Sequence, residues 1–294
     1  MARVRVAVFS KDRYGHCRLC LSWLLKRTER LRPHLVKVYV YDDASKDPRL
    51  QEYLTELYDS GEITLHMVCS NIEGRNHTER GMRIALSRRQ AAENFLNSSD
   101  DFLVCLDDDI LVGERTIQEA VSDFEELAET SYARPGALTL HGLASHQALR
   151  YIGGKLFAEL AYSGEANCIF KRDILGSVGV FFDAVPTGFG DTQFAAIREA
   201  GYCYYTRVLP YYQVQHLGFG KNASAIYKDG DPHPYWLDEP YTRIGLNGKP
   251  SLEPILVDGF LLKEYRELVE KHGERAPLEY LRRYLGEWYQ TDTP

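Results

Sequence analysis

The chain has 294 residues, with 35 Lys or Arg against 42 Asp or Glu and a formal charge of −7. Apolar residues make up 44% and charged residues 26%, which excludes a disordered chain, a collagen-like repeat and a disulfide-stapled miniature scaffold. The acidic balance also argues against a dedicated nucleic-acid binder, because neutralising phosphates needs clustered Lys and Arg.

In chain order, Arg3-Val4-Arg5-Val6-Ala7-Val8 alternates charge with valine, the pattern of a strand and not of a signal peptide. No run approaches the roughly 20 apolar residues needed to span a bilayer. The expectation is a cytoplasmic protein. A strand over Val4–Phe9 leads into a helix over Tyr14–Leu31, in which Cys17, Cys20, Leu21, Leu24 and Leu25 share one face. Cys17-x-x-Cys20 beside His16 has the look of half a zinc site, but no second ligand pair follows at metal spacing. The stripe makes these cysteines part of a buried face. The sequons at Asn76, Asn97 and Asn222 carry no weight without a secretory signal.

Strands are expected at Val36–Tyr41, Ile63–Val68 and Phe102–Leu106, with an amphipathic helix over Gly81–Leu96. This strand-then-helix rhythm predicts a mostly parallel sheet covered by helices on both faces. A helix over Thr116–Glu129 follows, then strands at Ala137–Leu140, Ala166–Phe170 and Cys203–Thr206. A short helix over Thr192–Ala200 is closed by Gly201. Residues 218–250 are rich in Gly, Pro, Asp and aromatics, a loop length that is usually functional. Helices are expected at Leu261–Lys271 and Pro277–Trp288; their mixed Lys, Arg and Glu read as a solvated face, with a homodimer through them a further expectation.

Carboxylates just beyond strand ends are the first chemical clue, because open α/β sheets bind ligands there. Asp42-Asp43 follows the second strand and Asp107-Asp108-Asp109 the fourth. Three adjacent carboxylates repel one another, and a divalent cation with a taste for oxygen ligands, Mn²⁺ or Mg²⁺, would compensate.

Taken together, several segments resemble the GT-A glycosyltransferases, and glycosyltransferase family 2 in particular. They are Phe9-Ser10-Lys11-Asp12-Arg13, Tyr41-Asp42-Asp43-Ala44-Ser45, Leu106-Asp107-Asp108-Asp109, Gly164-Glu165-Ala166-Asn167-Cys168 and Gly188-Phe189-Gly190-Asp191, with His216 last. They stand in family order across roughly residues 3–220. The resemblance implies a GT-A fold, a Rossmann-like α/β domain over 1–220, with the acceptor-side loop and C-terminal helices over 221–294. It implies transfer of a sugar from a nucleotide-sugar donor, UDP-linked, to an acceptor hydroxyl on a glycan, small molecule or modified polymer. On this pattern Ser10, Arg13 and Asp42 or Asp43 line the nucleotide pocket, and Asp107 and Asp108 face the donor. The DxD-like triplet permits two registers; Asp109 and Asp107 with His216 form the implied metal set. Arg75, Arg80 and Arg83 surround a helix start where the family carries a base near the diphosphate, and Arg80 is assigned to it.

Asp191 falls where the family places its catalytic carboxylate, and as a general base opposite the leaving group it implies inversion. Here Gly190 replaces the acidic residue that often precedes it. Asp191 is also a good N-cap for the helix that follows. Two other readings stay open: a sugar-phosphate nucleotidyltransferase, whose Gly-rich loop is missing at Ser10–Gly15, and a non-catalytic carbohydrate-binding protein on the same fold. Tyr227, Tyr235, Trp236 and Tyr241 have faces that suit a sugar or a base.

Overall fold

A computed structural model describes residues 1–28, 34–68, 72, 77–130, 133–140, 146–160, 167–182, 191–209, 212 and 214–216. The expected loop over 218–250, both C-terminal helices and the dimer expected through them lie outside these residues, as do Arg75, Cys69 and the last residues of the first helix.

The elements are β1 (Arg3–Ser10), α1 (Tyr14–Thr28), β2 (Leu35–Asp42), α2 (Pro48–Asp59), β3 (Thr64–Met67), α3 (His77–Leu96), β4 (Phe102–Asp107), β5 (Ile110–Val112) and α4 (Thr116–Glu129). They continue as β6 (Pro135–Thr139), β7 (His146–Ile152), β8 (Lys155–Leu160), β9 (Cys168–Lys171), α5 (Arg172–Val178), α6 (Asp191–Glu199), β10 (Cys203–Leu209) and β11 (Val214–His216). Nine strands form one sheet in the order β3-β2-β1-β4-β9-β6-β10-β8-β7. β3, β2, β1 and β4 pair in parallel, and β6 pairs in parallel with β10. β9 runs against both β4 and β6, and β8 against both β10 and β7. The crossing strand β9 makes the sheet mixed, with its parallel strands all ending at one edge.

The alternation of side chains along a strand explains the layers. Val4, Val6 and Val8 of β1 face a core built with Cys17, Cys20, Leu21 and Leu24 of α1, Leu50 and Leu54 of α2 and Phe124 of α4. Ala7 and Phe9 face the opposite core, with Ala91, Ala92 and Phe95 of α3, Leu175 of α5 and Phe194 and Ile197 of α6. Cys17 and Cys20 are buried free thiols held well above their usual range by burial, so the cysteine stripe is core, as expected.

The helix α2 was not anticipated, although its signals are in the sequence. Asp47 caps it by accepting from the Arg49 N–H at 3.0 Å, Pro48 occupies the first turn, and Leu50 and Leu54 are buried. α3 starts at His77 and not Gly81, and β9 at Cys168 and not Ala166. Among the described residues no helix is long and apolar enough to cross a membrane.

Candidate functional site at the carboxyl edge of the sheet

The loops after β1 and β2 are stapled to each other. Asp12 and Ala44 both adopt positive φ, 49° and 46°, which costs a non-glycine residue unless neighbours enforce it. Here they do. The Asp12 N–H donates to Ser45 Oγ at 2.8 Å, and Asp12 Oδ1 accepts from the N–H groups of Lys46 and Asp47. Lys11 Nζ donates to the Asp43 carbonyl at 2.6 Å. Burial tends to raise the Asp12 carboxyl, but those amides and Lys11 outweigh it and hold it below the usual range.

Asp42 is almost fully buried, and both its oxygens are engaged by Ser45, one by the N–H at 2.9 Å and one by the hydroxyl. Burial raises its carboxyl despite those bonds. Asp43 is also buried, and its carboxylate pairs with Arg83 Nη2 at 2.6 Å.

The triple aspartate at the end of β4 divides its labour by burial. Asp107 has a side chain 28% exposed and pairs with the nearly buried Arg88 at 2.9 Å. Asp108 is fully buried, accepts from Ser10 Oγ at 3.0 Å and pairs with Arg13 Nη2. Burial, with the neighbouring aspartates, pushes its carboxyl up to about 7 against the opposing pull of Arg13 and Ser10. Asp109, also buried, takes the other arm of the same guanidinium at 2.9 Å. Burial works against the Arg13 charge, but Asp108 and Asp109 outweigh it and hold it above the ordinary arginine value. The charge repulsion expected along the triplet is thus met in this structure by two arginines.

Arg88 escaped the sequence reading, although its position gave a signal. It shares a helical face with Ala85, Ala92 and Phe95, all buried, and a charge on an apolar stripe requires a partner.

His216, expected just past a strand region ending in Gln213-Val214-Gln215, is itself the last residue of β11. In the antiparallel pair β11–β5 it stands opposite Ile110, the residue after Asp109. Facing residues in such a ladder have Cα atoms about 4.5–5.5 Å apart. Arg80 lies on α3 and Asp191 on α6; of these two and of His216 the structure describes the backbone.

Asp191 is the first residue of α6, one position further into the helix than the expected cap. Three contacts set that helix. Gln193, fully buried, accepts from the Phe181 N–H at 2.6 Å and donates to the Gly179 carbonyl at 3.0 Å. Gly201, at φ 79°, donates its N–H to the Arg198 carbonyl at 2.8 Å and closes the helix as expected. Gly136 of β6 lies so close beneath α6 that a Cβ there would stand 2.2 Å from Ile197 Cγ2 and 2.8 Å from Tyr202 Cβ. Because a three-residue turn joins α6 to the start of β10, the helix runs back along the sheet and its first turn lies towards the carboxyl edge.

Asn167, just before β9, is a residue whose geometry the sequence did not foretell. It is buried with φ 77°, its carbonyl accepts from the Leu140 N–H at 2.8 Å, and its Oδ1 has no hydrogen-bond partner among the described residues.

Whether these residues suit a divalent cation is a matter of donor chemistry. Among the described side chains no group of three or more His, Cys, Asp or Glu is placed to hold a metal ion. Asp107 and Asp109 nevertheless offer hard carboxylate oxygens, and β11 brings the backbone of a histidine beside them. Two carboxylates with one imidazole suit Mn²⁺ or Mg²⁺ better than a soft ion.

No protein-family model and no curated protein matches the sequence. Solved structures do match. GalNAc-T7, in a crystal structure with UDP, GalNAc and Mn²⁺, is 12% identical, with 78% of this chain and 49% of that chain covered and a TM-score of 0.52. TarS of S. aureus, residues 1–349, is 16% identical over 65% of this chain and 53% of that chain, at a TM-score of 0.45. The mannosyltransferase PcManGT of Pyrobaculum calidifontis, in complex with GDP-Man and Mn²⁺, is 18% identical over 69% and 54%, at 0.44. The chain spans about half the length of these structures. The likeness to GalNAc-T7 shows the fold: this is the GT-A architecture expected from the sequence.

Proposed function

We propose that this chain is a glycosyltransferase that moves a sugar from a nucleotide-sugar donor, UDP-linked, to an acceptor hydroxyl, with a divalent metal and with inversion. The observation that carries the reading is the acidic cluster at the end of β4, on a GT-A sheet, with His216 paired opposite Ile110. The crystallised GalNAc-T7 complex holds UDP, GalNAc and Mn²⁺, which supports the same ligand classes here.

Asp107, Asp109 and His216 are the residues we assign to the metal, Mn²⁺ or Mg²⁺. Bound there, the ion would neutralise charge on the leaving diphosphate as the glycosidic bond breaks. Asp108, buried and held by Ser10, supports the triplet from within. Asp42 shapes the β2 loop through Ser45, which leaves Asp43 as the better candidate for a hydrogen bond to the base or ribose. Arg80, on the first turn of α3, is assigned to the diphosphate, where a helix N-terminus adds its own attraction.

Asp191 takes the proton of the acceptor hydroxyl as that oxygen attacks the anomeric carbon, a role typically worth about 10²–10⁴ in rate. Residues 1–220 form the donor-binding and catalytic part, and 221–294 supply the acceptor side. The test is a panel of nucleotide sugars in Mn²⁺ buffer. Release of nucleoside diphosphate that stops in EDTA is expected. Nucleoside monophosphate would make the chain a nucleotidyltransferase, and no release from any donor would leave a binding protein.

A further inference from the structure

The sequence suggested that the triple aspartate needs a divalent ion, yet the structure satisfies it with arginines, and the two arginines are held differently. Arg88 is nearly buried while its partner Asp107 is partly exposed. Arg13 is the reverse. Its side chain is 32% exposed while Asp108 and Asp109 are 0% and 2% exposed. The carboxylates are therefore fixed and the guanidinium that spans them is the accessible member.

We propose that Arg13 is the resident counter-cation of Asp108 and Asp109, that a divalent ion binds by displacing it, and that the released guanidinium then pairs with the donor diphosphate. This rests on the metal-dependent reading above and adds a competitor within the chain to it. The planar fork of arginine fits two carboxylates and a phosphate equally well, so the same group can serve both states.

The loop anchors allow such a movement without loss of the fold. Arg13 lies between β1 and α1, and the stapling to the β2 loop runs through Lys11 and Asp12, not through Arg13. Displacement therefore breaks two ion pairs and leaves the loop pinned.

The test is calorimetric titration of the full chain with MnCl₂ alone, without nucleotide. Arg13→Gln removes the competitor, so it should bind Mn²⁺ about tenfold or more tightly than the wild type. Arg13→Lys, which keeps the charge but cannot span both carboxylates, should fall between. Arg49→Gln, at a side chain 70% exposed on α2, should match the wild type. A second measurement needs no variant: modification of Arg13 by phenylglyoxal, followed by mass spectrometry, should accelerate when Mn²⁺ is added. Equal Mn²⁺ affinity in Arg13→Gln and wild type, or unchanged phenylglyoxal reactivity at saturating Mn²⁺, overturns the exchange while leaving metal dependence intact. No Mn²⁺ binding by either protein, with activity undiminished in EDTA, overturns the metal reading itself.

Discussion

Two buried clusters of opposite charges sit on this sheet, and they are built to different ends. At the carboxyl edge of β4, Asp108 and Asp109 share one guanidinium that solvent can reach. On α4, Asp123 is 1% exposed and accepts from Arg207 at 3.0 Å, from Lys155 at 2.7 Å and from Tyr212 Oη at 2.7 Å. Arg207 is itself 4% exposed, reaches Glu119 as well, and lies 4.3 Å from the Tyr212 ring centre. A buried network of acids and donors, drawn from α4, β8, β10 and the stretch before β11, is a knot. Two buried acids on one partly exposed guanidinium form a socket. A buried ion pair says little by itself about stability or function; the accessibility of each partner tells the two uses apart.

The sharpest way to break this contrast is to cut the knot. Asp123→Ala leaves Arg207, Lys155 and Tyr212 without their shared acceptor, and should cost about 3–5 kcal/mol in chemical denaturation. A loss below about 1 kcal/mol would show that the cluster relaxes freely. Next in size, Asp191→Asn should lower turnover by about 10²-fold or more with donor affinity and melting temperature nearly unchanged. Near wild-type turnover removes Asp191 as the base. A smaller, mixed effect is expected for Gly136→Ala, whose new methyl presses on Ile197 and Tyr202. Overpacking there should cost about 1–3 kcal/mol and reduce turnover by shifting α6; stability loss with unchanged kinetics would detach Asp191 from that helix's placement.

The subtlest test is a pH slope. The native carboxyl of Asp108 is raised to about 7 from an ordinary value of 3.8, so between these pH values the folded chain binds more protons there than the unfolded chain. Its contribution to stability is therefore greatest at acid pH and falls as pH rises towards 7. Asp108→Asn should flatten that part of the stability–pH curve. An identical slope in both proteins would mean that Arg13 keeps Asp108 ionised throughout.

The fold was legible where a face is buried on a fixed period. The α1 stripe announced itself because one side of that helix had to be apolar, and β1 and β4 because their strands are buried on both faces. β5, β7 and β8 did not, since a three-residue strand and hairpin arms owe their existence to their pairing partners. In the site, the acidic residues were visible from their position after strands, whereas their partners were not. Arg13 and Asp109 lie 96 residues apart, and no local pattern couples them. The strain at Asp12, Ala44 and Asn167 was equally hidden, because left-handed backbone at a non-glycine residue is imposed by tertiary contacts.

That separation in sequence has a kinetic consequence. β1 must find β4 before Arg13 can meet Asp108 and Asp109, and closing a loop of 95 residues requires a search that a hairpin avoids. The acidic socket is thus complete only once β1 and β4 have paired. A divalent ion could not act as an early template here, as zinc does in a finger whose ligands are neighbours. It would find its ligands only after the central strands have assembled, so chelators should leave the refolding rate of the sheet untouched.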